Sequence, residues 1–176
     1  MSTSSSLPSE HQATLIDGKA FAATLRQQIR EDVLAFHDQH GVTPGLAVIL
    51  VGNDPASEVY VKNKAIQTHH AGMRSFMHML PETTSEAELL TLIGRLNNDP
   101  EIHGILVQLP LPKGLAARRI TNAIAPDTDV DGLGEVHAGR LAVALPGIVP
   151  RTPLRRLLPL RDRPWYMQGK PPVVIV

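Results

Sequence analysis

Apolar and polar residues follow two spacings along the chain, and the change between them predicts the secondary structure. After Asp17, apolar residues recur at three- and four-residue intervals until Gly41, which predicts one long helix. Residues 45–52 (GLAVILVG) are an unbroken apolar run between glycines, typical of a strand covered on both faces. Helical spacing returns over about residues 57–71, and Gly72 is well placed to end that helix.

The middle of the chain repeats this alternation of strand and helix patterns. Residues 74–80 (RSFMHML) indicate a second, weaker strand. Residues 102–112 (IHGILVQLPLP) indicate a third strand, which ends in a proline-rich corner. A short helix over about residues 116–125 then precedes the acidic loop PDTDVDG, residues 126–132.

A further helix is predicted between the second and third strands. Thr83 and Ser85 each have a glutamate three residues later, so two capping boxes are possible at its start. Apolar residues at helical spacing form its expected buried stripe, namely Leu89, Leu92, Ile93 and Leu96.

The predicted order α-β-α-β-α-β-α is typical of an α/β protein. We expect three layers, α-β-α, in which helices cover both faces of a mostly parallel sheet. Ligands of such sheets bind beyond the carboxyl ends of the strands. The loops VGNDPAS (51–57), QLPLP (108–112) and DTDVDG (127–132) lie at or near such ends, so they are the places to search for chemistry.

Composition narrows the classes of function. Lysine plus arginine and aspartate plus glutamate number 17 each, so the net charge is zero and gives no support to a nucleic-acid or membrane partner. Cysteine is absent, which excludes disulfides and thiolate metal sites. The polar start MSTSSSLPSEHQ lacks the apolar core of a signal peptide, and no apolar run approaches the roughly 20 residues of a membrane span. We therefore expect a cytoplasmic protein.

The character of the sequence divides the chain into three parts. Residues 1–12 are small and polar without periodicity, which predicts a disordered leader. Residues 13–150 carry the alternating pattern and form the expected folded domain. Residues 151–176 hold five of the 15 prolines and end in PPVVIV, which resembles a buried strand that stops soon after it begins. We expect this tail to be an aberrant linker and the first strand of a truncated second domain.

Tyr60 and Lys64 are the first candidates for chemistry. At positions i and i+4 they share one face of the predicted helix, just after a turn on the ligand-binding side of the sheet. A partly desolvated lysine there would have a lowered pKa and could move protons near neutral pH. The tyrosine offers a flat ring against which a ligand can stack. The alternative is a solvated lysine on a helix whose tyrosine belongs to the core.

Gln108 interrupts an apolar strand near its carboxyl end. A buried amide must find partners or cost roughly 1–3 kcal/mol, and a lysine amine from a neighbouring element would be a natural partner. Pro110 and Pro112 fix an extended corner, whose carbonyls we expect to lack local donors and to suit the amino groups of a heteroaromatic ligand. The alternative is an edge residue with a solvated amide.

The loop DTDVDG places Asp127, Asp129 and Asp131 at alternate positions before a glycine, as a calcium loop begins. The twelfth position of such a loop needs a bidentate acid, and here it is Ala138, so calcium binding is excluded. A carboxylate that grips the N–H edge of a ligand is the better interpretation for Asp131. For the other two aspartates we favour a role in forming the turn. The histidines show no zinc-ligand spacing, so no metal is expected.

Four stretches together carry a family resemblance: PGLAVILVGNDPASEVYVKNKAIQ, LPETTSEAELL, GILVQLPLP and DTDVDGL. In this order and with these gaps they resemble the bifunctional methylenetetrahydrofolate dehydrogenase/methenyltetrahydrofolate cyclohydrolase family. The resemblance runs from about Leu15 to about Pro150. It implies that residues 13–150 are the folate-binding catalytic domain of such an enzyme. It also implies that the Rossmann-like domain that binds NAD(P) is missing from this chain.

The resemblance implies an enzyme of one-carbon metabolism with a tetrahydrofolate derivative as substrate. Family members oxidise methylenetetrahydrofolate with NADP, or sometimes NAD, and then hydrolyse the methenyl product to formyltetrahydrofolate. The family also suggests a homodimer. Without a nucleotide-binding domain we expect the dehydrogenase activity to be lost, whereas hydrolysis needs no nucleotide.

The same resemblance assigns roles to residues. It implies that Lys64 is the catalytic lysine, Tyr60 the folate-stacking ring, Gln108 the amide that holds the lysine, and Asp131 the carboxylate that binds the pterin. Contacts with the substrate are expected from Tyr60, Val61, Lys62, Asn63, Lys64, Val107, Gln108, Leu109, Pro110 and Asp131. No residue of this chain is expected to bind NADP.

The chain also departs from the family pattern. After DVDG the family usually has a histidine and then an asparagine, where this chain has Gly134 and His137. The family's PCTPxG reads PRTPLR here, so Arg151 and Arg155 replace a cysteine and a glycine. A non-catalytic remnant of such an enzyme therefore stays open as an alternative. A short-chain dehydrogenase, which also uses Tyr and Lys four apart, is disfavoured because residues 1–44 contain no glycine-rich nucleotide loop.

Overall fold

The structure, a computed structural model, describes residues 17–150, so the predictions for residues 1–12 and 151–176 lie outside it. Within that range the helices are α1 (Gly18–His40), α2 (Pro55–His70), α3 (Glu86–Leu96), α4 (Ala117–Asn122) and α5 (Glu135–Ala142). The strands are β1 (Gly45–Val51), β2 (Arg74–Leu80) and β3 (Gly104–Val107). The predicted alternation of helix and strand is confirmed through α4, and α5 follows as an additional helix.

The strands form one parallel sheet in which β1 is central, in the order β2-β1-β3. β2 pairs with β1 along its whole length, whereas β3 pairs through four residues. The predicted third strand, 102–112, is therefore too long. Its end cannot continue a ladder because Pro110 and Pro112 lack the N–H groups that pairing requires.

Alternate residues of β1 point into two separate cores, one on each face of the sheet. On one face, Ala47, Ile49 and Val51 pack against α3 and α4, and the predicted stripe of α3 is buried there in full. On the other face, Val48 and Leu50 pack against α2. Helices on both faces confirm the three-layer α-β-α prediction.

Helix ends follow the chemistry that the sequence predicted, with one error. The Asp17 carboxylate accepts hydrogen bonds from the first turn of α1, and Gly41 ends that helix with φ +68°. Ser85 and Glu88 form a reciprocal capping box at the start of α3. Ser85 is the N-cap of α3, so Thr83 lies outside the helix and its predicted capping box is wrong.

One loop extends the sheet beyond β3. The carbonyl of Thr128 accepts a 2.8 Å hydrogen bond from the N–H of Ile105, and Asp129 forms a parallel bridge with the same residue. The loop that carries Asp131 therefore runs beside β3 and emerges at the same edge as Gln108. None of the helices in residues 17–150 has both the length and the apolar character that crossing a membrane requires.

Candidate active site

Lys64, Tyr60 and Gln108 meet at the carboxyl edge of the sheet. The Lys64 Nζ atom donates a 3.0 Å hydrogen bond to Oε1 of Gln108 and lies 4.3 Å from the centre of the Tyr60 ring. The two residues of α2 share one helical face, as their spacing predicted, and the amide comes from a different element 44 positions away. The arrangement places an ammonium between a neutral acceptor and an aromatic face.

The helix that carries the lysine is fixed at its start by Asp54. The carboxylate of this N-cap accepts a 2.8 Å hydrogen bond from the N–H of Ser57. Hydrogen bonding to the side chain of Ser57, and then to its N–H, lowers the pKa of Asp54 below its ordinary value. Tyr60 is 46% exposed, and Lys64 is half-buried. The alternative of a core tyrosine beside a solvated lysine therefore does not describe this site.

Gln108 uses both ends of its amide. Oε1 accepts from Lys64, while Nε2 donates a 2.6 Å hydrogen bond to the carbonyl of Leu109. The half-buried amide thus has the lysine partner that the sequence predicted. The expectation that the corner's carbonyls lack local donors is wrong for Leu109, because the neighbouring glutamine side chain reaches it. The bond between Leu109 and Pro110 is cis.

The other predicted site residues differ in accessibility. The side chains of Val61 and Val107 are buried in the two cores at 0% and 3% exposure. Lys62, Asn63 and Pro110 are exposed, and Leu109 and Asp131 are half-buried. Contacts of these residues with a substrate stay a prediction. Only the exposed and half-buried residues have side chains that a substrate can reach.

The sequence did not predict the burial of two polar residues, Asp129 and His137, that follow the acidic loop's start. Asp129 is 2% exposed, and its carboxylate forms the turn that was predicted for it. His137 is 3% exposed, with Nε2 lying 2.8 Å from the carbonyl of Pro126 and Nδ1 accepting from the N–H of Ile148. Nε2 must therefore carry the ring proton. The histidine that replaces the family's asparagine is accommodated as a buried, hydrogen-bonded link between two loops.

An open groove of about 710 Å³ borders the lysine on the side of α1. Its floor includes Leu46 and Leu106 of the sheet, and its α1 wall includes Phe21, Leu25 and Ile29. The spacing of apolar residues in α1 predicted a helical stripe, but Val33 is the buried residue of that helix and Leu25 stays 39% exposed. The apolar stripe of α1 therefore lines a groove beside the site.

Comparison with known proteins identifies the family. A family model described as "Tetrahydrofolate dehydrogenase/cyclohydrolase, catalytic domain" matches residues 16–131. The chain belongs to this family. Among curated relatives, the bifunctional protein FolD of Gluconacetobacter diazotrophicus is 71% identical over 163 residues, and that of Gluconobacter oxydans is 61% identical over 168 residues. These matches cover 93% and 96% of this chain but 52% and 55% of the relatives. The chain spans about half the length of the curated relatives it matches.

Solved structures of tetrahydrofolate dehydrogenase/cyclohydrolase proteins share the fold. The bifunctional FolD enzyme of Campylobacter jejuni superposes with a TM-score of 0.82 at 41% identity, over 85% of this chain and 53% of that one. A methylenetetrahydrofolate dehydrogenase of the silkworm Bombyx mori gives 0.83 at 36% identity, over 86% and 52%. The Trypanosoma brucei enzyme, solved with NADP and an inhibitor, gives 0.79 at 31% identity, over 86% and 52%. The expected α/β catalytic domain is thereby confirmed.

Residues 17–150 do not fit NADP. A dinucleotide pyrophosphate needs a glycine-rich turn and open N–H groups at a helix start. Here the Asp54 carboxylate caps α2, Glu88 completes the box at α3, and Glu86 accepts from the Ala116 N–H at the start of α4. Each of these helix starts is already occupied by an acid that would repel a phosphate. The described residues also hold no group of three His, Asp or Glu side chains that could bind a metal ion.

Proposed function

We propose that this chain binds a tetrahydrofolate derivative at the sheet edge formed by Tyr60, Lys64, Gln108 and Asp131. The observation that carries the proposal is the 3.0 Å bond from Lys64 to Gln108 with the ammonium over the Tyr60 ring, in a chain of this family. A half-exposed ring suits the flat aromatic parts of folate. The Asp131 carboxylate suits the N–H edge of a pterin.

The reaction that this site supports is the hydrolysis of methenyltetrahydrofolate to formyltetrahydrofolate. Water adds to the cationic methenyl carbon and loses one proton, which gives a neutral carbinolamine. Its hydroxyl then loses the second proton as the C=O bond forms and one carbon–nitrogen bond breaks, and the departing nitrogen gains a proton, so one proton is released overall. Lys64 is the group placed to accept and return these protons, and Gln108 holds its amine in position. The pair would thus act within one-carbon folate metabolism.

The longer relatives are bifunctional, and we propose that a protein containing this domain also oxidises methylenetetrahydrofolate with NADP. Hydride transfer requires a bound nicotinamide, for which residues 17–150 offer no phosphate site. We therefore propose that the 176 residues by themselves have no useful dehydrogenase activity. A non-catalytic role is the second candidate, favoured by the departures from the family pattern at Gly134 and His137.

Lys64→Met in the 176-residue chain tests the proposal. Methionine keeps the length of the side chain and removes the proton carrier, so we expect the rate of methenyltetrahydrofolate hydrolysis to fall by about 10²–10⁴-fold. Loss of the substrate's absorbance measures the rate. Lys19→Met, an exposed lysine at the start of α1, is the matched control and should keep the wild-type rate.

Two outcomes of this assay would contradict the proposal. A wild-type rate equal to that of buffer would leave the non-catalytic role. An unchanged rate in Lys64→Met would remove the lysine from the chemistry.

We further propose a cytoplasmic homodimer, without nucleic-acid or membrane partners. The family resemblance supports the dimer, and the half-exposed Met77 and Met79 on the edge strand β2 offer apolar surface for it. The net charge of zero supports the proposed lack of nucleic-acid and membrane partners, and the absence of cysteine is compatible with the cytoplasm. Sedimentation equilibrium tests the dimer, and cell fractionation tests the location.

A further inference from the structure

Asp129 is a buried carboxylate whose charge is met by backbone N–H groups. It is 2% exposed, on the sheet side of the loop that carries Asp131. Its Oδ1 accepts hydrogen bonds from the N–H groups of Asp131 and Gly132, at 3.1 and 3.0 Å. Its Oδ2 accepts from the N–H of Gly134 at 2.9 Å. Three N–H donors therefore converge on one buried carboxylate.

We infer that Asp129 is the positioning residue of Asp131, and through it of the substrate's N–H edge. This inference rests on the proposed role of Asp131 in holding a folate. The Asp129 carboxylate accepts a hydrogen bond from the backbone N–H of Asp131. This bond fixes the backbone at position 131 and thereby the direction in which the Asp131 side chain points.

The second half of the inference concerns what Asp129 is anchored to. Asp129 forms a bridge with Ile105 of β3. Gln108 lies three residues after Ile105, directly after the end of the same strand. Gln108 in turn holds Lys64. The lysine and the pterin-binding aspartate are therefore tied to one strand, and Asp129 is the link on the aspartate's side.

A turn-forming aspartate at a surface would not have these properties. Asp127, two residues earlier, is exposed and serves as the natural comparison. Water can take the place of an exposed carboxylate such as that of Asp127, whereas the buried carboxylate of Asp129 is the acceptor for three N–H groups. The geometry thus uses two acceptor oxygens at position 129, and asparagine supplies only one.

A double-mutant cycle on the 176-residue chain tests the inference, with tetrahydrofolate as the probe in titration calorimetry. Asp129→Asn should weaken binding by about tenfold, the usual scale of one lost charge-assisted hydrogen bond. If Asp129 acts through Asp131, adding Asp129→Asn to Asp131→Asn should cause no further loss. Asp127→Asn, the same change at the exposed position, should bind as the wild type does. Wild-type affinity in Asp129→Asn, or effects that multiply in the double variant, would overturn the inference.

Amide hydrogen exchange separates this inference from the proposed function. In the wild-type chain without ligand, the amides of Asp131, Gly132 and Gly134 should exchange slowly, and Asp129→Asn should speed the exchange of Gly134 most. This result requires no folate and no variant that binds it. Unprotected amides in the wild type would overturn the positioning role. If the amides exchange slowly but tetrahydrofolate does not bind, Asp129 still positions Asp131, and the proposed function is contradicted instead.

Discussion

Gly132 holds the turn behind Asp131 in a backbone conformation that side chains rarely adopt. Its φ is +64°, and a Cβ atom added there would lie 2.7 Å from the carbonyl oxygen of Ile148. That carbonyl cannot easily retreat, because the N–H of the same residue donates to the buried His137 ring. Both the conformation and the space at position 132 therefore require glycine.

We predict that Gly132→Ala destabilises the folded chain by about 1–3 kcal/mol, the usual cost of a strained backbone position. Gly94→Ala is the matched control, since Gly94 lies in α3 with nothing near its absent Cβ. Alanine there should stabilise the chain by roughly 0.5–1 kcal/mol through helix propensity. Urea unfolding followed by circular dichroism measures both. Equal effects of the two substitutions would show that position 132 is not constrained.

At the scale of single residues, the sequence predicts those whose role shows in the residues around them. Tyr60 and Lys64 follow from helical spacing, and Gln108 follows from being an amide within an apolar run. The buried roles of Asp129 and His137 could not be predicted in the same way. Asp129 lies in a polar, glycine-containing loop and His137 near the start of the short helix α5, where burial depends on which distant carbonyl or N–H the fold brings near.

At the scale of elements, the edge strand β2 carries a histidine in an unfavourable position. The Nε2 atom of His78 is buried and has no hydrogen-bond partner within residues 17–150. Burial, and to a lesser degree the charge of Arg95, lowers the pKa of His78 below its ordinary value of 6.5. The folded chain therefore binds a proton at His78 less readily than the unfolded chain does.

We predict that His78 makes stability depend on pH in one direction. Because its folded pKa is depressed, its contribution is present above pH 6.5 and is lost as the pH falls towards the folded pKa. His78→Gln cannot be charged, so its unfolding midpoint should fall less than that of the wild type on acidification. Arg95→Gln removes the weaker cause of the lowered pKa, the charge of Arg95, so its unfolding midpoint should fall by an amount between those of the wild type and His78→Gln. Parallel pH slopes in all three chains would contradict this prediction.

Element order was predictable from the sequence, whereas some element lengths were not. Runs bounded by glycine or by a capping residue, such as β1 and α3, were placed well because their ends carry specific chemistry. β3 was overextended because its apolar run continues into prolines that leave the ladder. α5 was missed because no side chain caps its start and Gly139 lies within its eight residues.

At the scale of the whole molecule, the sheet gathers the candidate site at one edge, and the helix starts there offer no phosphate site within residues 17–150. The helices that follow β1, β2 and β3 begin with N–H groups that face acidic side chains of the chain itself. A folate, whose recognition needs a ring, an amine and a carboxylate, is compatible with that edge. A pyrophosphate is not, because each of these helix starts would set two anions against each other.

This difference predicts that only one of two ligands raises the thermal stability of the 176-residue chain. Tetrahydrofolate binds the folded form in our proposal, so at a hundredfold excess over its Kd it should stabilise the chain by roughly 2.7 kcal/mol and raise the midpoint. NADP at the same concentration should leave the midpoint unchanged, because residues 17–150 offer its phosphates no N–H cradle. Asp131→Asn should reduce the response to tetrahydrofolate without creating one to NADP. A midpoint raised by NADP alone would place a nucleotide site within the 176 residues and contradict the reasoning from the helix starts.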